Sequence, residues 1–238
     1  MNKLLAECHD FFKNCSFPYA VGGGWALELF ANKKIRPYED IDISIFDEDR
    51  KNLVEFMLNK DWNVYEPPHE NRLIRISNAD DERVLKRHGV WVIKPDCSFI
   101  RHEPIDGEYG VYTKEILYHE QLNFNFIEVI FNKQKDGKFL FDHFISQNKD
   151  IMRELDKAIL YNGEIPYVAP EVMLFIISHP AYMDGDYHGK KNKIDFDSVS
   201  PLLPKENKDW LINAFETAYP DGHKRLEQLK NGQENTNV

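Results

Sequence analysis

VGGGWALELFANKKIRPYEDIDISIF, residues 21–46, is the stretch that decides how this chain is read. A short β-rich run ends at Val21, three glycines follow (Gly22, Gly23 and Gly24), and an apolar helical pattern occupies residues 25–31. Glycine reaches φ > 0 without penalty and lets a ligand approach the backbone closely. Backbone N–H groups at the start of a helix, with no Cβ in the way, suit the charged oxygens of a phosphate. Then comes Asp40-Ile41-Asp42, in a run where Ile41, Ile43 and Ile45 alternate with Asp40, Asp42 and Ser44. That alternation predicts a half-buried strand. Residues two apart on a strand face the same side, so Asp40 and Asp42 present their carboxylates together. Like charges held that close repel, and a cation is the natural resolution. Hard oxygen ligands favour Mg²⁺, which keeps several waters and takes one or two carboxylates plus the phosphates of its substrate. A glycine triplet alone is usually a turn, and an Asp-x-Asp pair alone is usually a solvated strand face. The order strand, glycine turn, helix, acidic strand is what gives the segment chemical meaning. Arg36 is either a surface charge before Pro37 or a contact near the phosphates.

Outward from this segment the chain has two textures. Between residues 19 and 131 short β-rich runs (YAV, IDISIF, RLIRIS, VWVI, NFIEVIF) alternate with helical patterns such as residues 49–59, which is α/β texture. Leu4, Leu5, Cys8, Phe11 and Phe12 share one face of a further helix at the start. From Pro170 onward the pattern turns helical: PEVMLFIIS opens with a proline suited to a first turn, KENKDWLINAFETAY follows, and a third helix is expected near residues 223–229. Residues 147–169 read as a connection with a turn at Tyr161-Asn162-Gly163. The expected division is a catalytic domain over residues 1–150 and a helical C-terminal domain over 151–238. Trp62, Trp91 and Trp210 are expected in the core.

Bulk properties narrow the classes. With 42% hydrophobic and 29% charged residues in 238, the chain is long enough for one large or two small packed domains and is not disordered. Forty acidic against 30 basic residues leave a formal charge of −10, a field that repels nucleic acid and favours cationic small molecules. Cys8, Cys15 and Cys97 form no paired spacing, and the first residues mix acid with apolar positions instead of forming a signal-peptide core, so free thiols in the cytoplasm are expected. No apolar run approaches the roughly 18 to 20 residues that span a bilayer. Zinc spacings, a P-loop, a GxSxG elbow and a dinucleotide GxGxxG are all missing from the sequence.

Segment 21–46 resembles the GGWALD-x-x-x-G-x-x-x-R-P-H-x-DID signature of polymerase-beta-like nucleotidyltransferases, in particular the aminoglycoside and lincosamide adenylyltransferase branch. The match runs through Gly23-Gly24-Trp25-Ala26-Leu27-Glu28 and Arg36-Pro37-Tyr38-Glu39-Asp40-Ile41-Asp42. GEIPYVAPEVMLFIIS (163–178) and KNKIDFDSVSPLL (191–203) resemble the family's G-I-P-Y-L-A-P-E helix and its later K-D-x-x-D-F stretch, in the same order. Four positions depart from the pattern: Tyr38 replaces histidine, Glu28 aspartate, Asn32 glycine, and Ile177 a common lysine.

The resemblance implies an α/β (α+β) fold, with an N-terminal nucleotidyltransferase domain built on a mixed sheet flanked by helices and a helical C-terminal domain. It implies a third carboxylate on a later strand, for which Glu128 in NFIEVIF is the candidate, either as metal ligand or as general base; a partly exposed edge residue is the alternative. Asp40 and Asp42 would hold Mg²⁺, Gly23 and Gly24 would cradle the triphosphate of ATP or another nucleoside triphosphate, and Lys191 either contacts a phosphate or is solvated in the basic cluster GKKNK. Two cations bridging carboxylates and triphosphate would polarise the α-phosphorus and neutralise the departing pyrophosphate during in-line attack. The expected reaction is transfer of AMP to a hydroxyl of a small aminoglycoside- or lincosamide-like acceptor. A protein- or RNA-directed, toxin-like nucleotidyltransferase and a catalytically silent nucleotide-binding relative are the alternatives, with RNA disfavoured by the net charge.

Overall fold

The computed structural model describes residues 2–38, 40–67, 72–97, 100–104, 110–116, 123–141, 150–183 and 188–234. In chain order its elements are α1 (Lys3–Phe12), β1 (Tyr19–Val21), α2 (Gly23–Ala31), β2 (Asp42–Phe46), α3 (Arg50–Asn59), β3 (Asn63–Tyr65), β4 (Arg72–Ile76), α4 (Glu82–Lys86), β5 (Gly89–Ile93), β6 (Ile100–Pro104), β7 (Gly110–Ile116), β8 (Phe126–Lys135), β9 (Lys138–Phe141), β10 (Ile151–Glu154), α5 (Leu155–Ala158), β11 (Ile159–Asn162), β12 (Ile165–Val168), α6 (Pro170–Ile177), α7 (Pro180–Met183), α8 (His188–Val199), α9 (Lys205–Ala218) and α10 (Lys224–Glu234). Strands are mixed with helices through most of the chain and helices dominate its last part, the α/β class that the texture predicts. Contacts group the chain into two units, Met1–Val21 with Pro37–Asn132, and Gly22–Arg36 with Lys133–Val238.

The first unit is a mixed sheet. β1 pairs antiparallel with β2, β2 parallel with β8, β8 antiparallel with β5, and β5, β3, β4, β7 and β6 continue antiparallel in that order. Period-two patterning turns one side of the central strands inward: Ile41, Ile43 and Ile45, and likewise Ile127, Val129 and Phe131, are buried. The other side, with Asp42, Ser44, Glu128 and Ile130, is only half-buried. Helix α1 begins where the Asn2 side chain accepts a bond from the Leu4 N–H at 2.9 Å, and it buries Leu4, Leu5, Cys8 and Phe12. Phe11 and Phe12 meet Phe56 of α3, and Phe11 also reaches Trp62 and Phe124, forming an aromatic cluster with ring centroids 5.2 to 5.8 Å apart.

In the second unit the end of β8 pairs with β9, and β9 with β10. β11 and β12 form a hairpin closed by Gly163 and Glu164, with Gly163 at φ +62° as a tight turn requires. Helix α2 packs on α6 and α8, α6 on α9, and α9 on α10. Val172, Phe175, Phe196, Val199, Leu211 and Phe215 are fully buried between them. One ion pair is sealed into this core. Arg153 donates from Nε (3.1 Å) and Nη2 (2.7 Å) to Glu171 Oε1, while Asn207 donates to Oε2 at 2.7 Å. At the start of α10, His223 stacks on Phe215 and Tyr219, with ring centroids 4.7 and 4.6 Å away. Its Nε2 meets the Ser178 carbonyl at 3.0 Å and its Nδ1 accepts from the Arg225 N–H at 3.2 Å, a pattern that needs a neutral ring protonated on Nε2.

Two stretches differ from the sequence reading. Residues 151–168, expected as a connection, hold β10, α5 and the β11–β12 hairpin; the turn expected at Tyr161-Asn162-Gly163 is a hairpin turn at Gly163 and Glu164, with Tyr161 and Asn162 in β11. Charged residues interrupt the alternation at 153–157, and Pro166 lies within β12, where proline ordinarily argues against a strand. Helix α8 was not expected either, because HGKKNKIDFDSV carries too little apolar periodicity to announce itself. Residues 147–149 lie outside the described residues. Among the described residues no helix is long and apolar enough to cross a membrane.

Candidate active site

Asp42 opens β2, and Asp40 sits just before it in a bend instead of within the strand. The ladder with β8 nevertheless begins one residue earlier, since the Ile41 carbonyl accepts from the Glu128 N–H at 2.9 Å. From there the parallel register places Asp42 directly beside Glu128. Neighbours in register on parallel strands point to the same side of the sheet, so two acids far apart in sequence are brought to one spot. Carboxylate oxygens of Asp40, Asp42 and Glu128 all lie within 4.8 Å of one another, and all three side chains are half-buried. The strand thus begins at Asp42, two residues later than the alternation implies, yet the carboxylates of Asp40 and Asp42 still lie together, and Glu128 joins them.

A fourth residue belongs here that the sequence placed in the core. Trp91, opposite Glu128 in the antiparallel β5–β8 register, is only partly buried, and its indole N–H points to Glu128 Oε1 at 3.3 Å. Its ring packs edge-on against Phe126 at 5.0 Å, beside the buried cluster of Tyr65, Leu73, Ile93 and Phe126. The alternation in VWVI carries the signal: Val90 and Val92 are fully buried, which turns Trp91 to the face of the acids. Trp62, by contrast, is in the core as expected, and Trp210 is partly buried, donating to the Met152 carbonyl at 3.1 Å.

The other predicted site residues, Gly23, Gly24, Arg36 and Lys191, all belong to the second unit. Gly23 has φ +54° at the first position of α2, a conformation that glycine alone adopts cheaply. At the other end of α2, Asn32 takes the left-handed cap at φ 50°. Asparagine is the residue besides glycine that tolerates this conformation, so the departure at Asn32 keeps the backbone geometry. Glu28 accepts from the Ile35 N–H at 3.1 Å, fixing the following loop. Arg36 directs its guanidinium to Asp195 of α8: Nε lies 2.9 and 3.1 Å from the two carboxylate oxygens, and Nη2 lies 2.8 Å from Oδ2. Lys191 stands half-buried one turn before Asp195 on the same helix. Sequence reasoning gave Asp195 no role of its own; its available signal was its place, with Phe196, as the D-F of the K-D-x-x-D-F resemblance. Tyr38 is buried, and Ile177 ends α6, with its carbonyl accepting from Asn192 at 3.4 Å.

Three carboxylates on adjoining sheet elements form a hard-oxygen donor set that fits Mg²⁺. By fold, the chain is similar to the solution structure of the antibiotic-resistance factor ANT(2'')-Ia, at 12% identity, covering 93% of this chain and 96% of that one with a TM-score of 0.51. Lincomycin-bound lincosamide antibiotic adenylyltransferase LnuA aligns at 12% identity over 85% of this chain and 98% of its own, with a TM-score of 0.48. No curated protein matches in sequence. The family model described as aminoglycoside-2''-adenylyltransferase matches residues 4–154, from α1 through the acid-bearing β2 and β8 to the end of β10. That span is more than half the chain and contains all three clustered acids, so the protein belongs to the aminoglycoside-2''-adenylyltransferase family of nucleotidyltransferases.

Proposed function

We propose that this protein transfers AMP from ATP to a hydroxyl of a small, cationic, aminoglycoside- or lincosamide-like acceptor, in the cytoplasm, with Mg²⁺ held by Asp40, Asp42 and Glu128. The observation that carries this reading is the convergence of the three carboxylates within 4.8 Å. Like charges this close repel, and a bound cation offsets the repulsion. Bound Mg²⁺ would neutralise triphosphate charge and polarise the α-phosphorus.

The chain's own residues then divide the work. Glu128, steadied by the Trp91 N–H, either completes the metal ligands or accepts the proton of the acceptor hydroxyl. The N–H groups at the start of α2, opened by Gly23 and Gly24, would bind phosphate oxygens as helix N-termini do. Arg36 and Lys191 supply positive charge for the same phosphates. An overall charge of −10 draws in a cationic acceptor and repels RNA, which favours the small-molecule reading over a nucleic-acid target. Free thiols at Cys8, Cys15 and Cys97 accord with a reducing compartment.

The test is pyrophosphate release from purified protein with each nucleoside triphosphate, Mg²⁺, and a panel of aminoglycosides and lincosamides, with mass spectrometry of the acceptor. Mg²⁺-dependent release with one donor and a nucleotidylated acceptor, both lost in Asp42→Asn, is the expected result. Absence of release with every donor and acceptor while the protein remains folded overturns the proposal.

A further inference from the structure

Asp195 is the most deeply buried acid whose partner is a residue of the proposed nucleotide set. Its side chain is 2% exposed and that of Arg36 14%. The carboxylate grips the guanidinium along one edge, taking Nε and Nη2. An edge-on pair of this kind fixes the plane and direction of the guanidinium. Lys191 lies four residues before Asp195 on α8, so the two share a helical face, and the element that clamps Arg36 also carries the second cation. Gly23 and Gly24 open α2, which packs on α8 within the same unit.

We propose that Asp195 is a positioning residue for nucleotide binding: it holds the Arg36 guanidinium in the orientation in which, with Lys191, it meets the triphosphate. This rests on the nucleotidyltransferase reading above. The bare structural alternative is an ion pair that only ties the loop after α2 to α8. The two differ in what they predict. A tie affects stability and leaves triphosphate affinity alone, whereas a positioning residue controls affinity even in variants that fold fully.

The experiment is calorimetric titration of a non-hydrolysable ATP analogue with Mg²⁺ into wild-type protein, Asp195→Asn, Arg36→Gln and Lys191→Met, with circular dichroism and a melting curve for each. Asp195→Asn keeps the shape of the clamp and removes its charge; Lys191→Met alters a half-buried position outside the ion pair and keeps the protein measurable if the pair itself is needed for folding. Expected is affinity at least about tenfold weaker in all three, the loss of one charge-assisted contact. Steady-state kinetics should place the loss in KM for ATP, with KM for the acceptor unchanged. Folded Asp195→Asn or Arg36→Gln protein that binds the analogue as tightly as wild type overturns the proposal. If both of those variants unfold, unchanged affinity in Lys191→Met does so instead. A wild-type protein that binds no triphosphate at all overturns the nucleotidyltransferase reading itself, a distinct outcome.

Discussion

Replacing Asp42 by asparagine should stabilise the metal-free protein while removing its response to Mg²⁺. At 4.8 Å, the widest separation within the cluster, two unit charges repel by about 3.5 kcal/mol at an effective dielectric of 20 and by about 0.9 kcal/mol in water. All three acids are half-buried and partly screened, so the lower part of that range applies to each pair. Asparagine at position 42 removes the repulsion from two neighbours and keeps nearly the same volume. A net gain of about 1 to 2 kcal/mol follows, which for a chain of this size raises Tm by about 2 to 8 °C. The wild type should regain and exceed this on binding the cation, since ligand at about 100 times its Kd adds about 2.7 kcal/mol. Melting curves of both proteins in EDTA and in Mg²⁺ with ATP make the comparison. A variant that melts below wild type in EDTA, or that gains as much as wild type from Mg²⁺ and ATP, refutes the account of the cluster as three mutually repelling ligands.

Three further outcomes follow from other parts of the structure. Gly89→Ala would place a Cβ 2.2 Å from the Val129 carbonyl oxygen, so backbone must shift beside the acid-bearing strand; urea titration should show a loss of about 3 kcal/mol or more. Glu171→Gln leaves Arg153 charged in the core without its counter-charge and should cost about 3 to 5 kcal/mol in the same assay, whereas breaking an exposed pair such as Lys86 with Glu82 should leave the titration curve unchanged. Burial holds the His223 imidazole below its usual pKa of 6.5, so the unfolded chain takes up that proton first; the stability it supports is complete above about pH 6.5 and declines as pH falls below it. Subtracting the Tm–pH profile of His223→Asn from that of wild type should isolate a component that falls only on the acid side of that value, and a flat difference would show that the ring is not held neutral.

Much of this was legible in the sequence because the decisive features are local. The turn-and-acid segment announces much of its own geometry: Gly23 takes φ > 0, and the alternation puts Asp42 on the open side of β2, although a bend and not the strand brings Asp40 beside it. The helices α1, α3, α6 and α9 were readable from apolar spacing, and Pro170 marked the start of α6. What escaped depends on partners distant in the chain. Glu128 could be nominated only through the family resemblance, because its place beside Asp42 is a property of the β2–β8 register. Trp91 looked like core until the β5–β8 register put it against Glu128. Asp195 sat in a helix too polar for its period to be seen, and its meaning comes from Arg36. Tertiary pairing, not local propensity, assigned these residues their surroundings.

The parallel pairing of β2 with β8 also sets what kinds of change the chain can absorb over time. Parallel neighbours require a long return path, and here that path comprises everything from α3 to β7. Lengthening or shortening the parts of that excursion outside β5, which pairs with β8 and carries Trp91, leaves the site intact as long as β8 returns in the same register. A single residue inserted within β2 or β8 has the opposite effect, because it swings the acid beyond it to the far side of the sheet. Diversity in this lineage is therefore expected to accumulate in the detour, while the lengths of two short strands stay fixed.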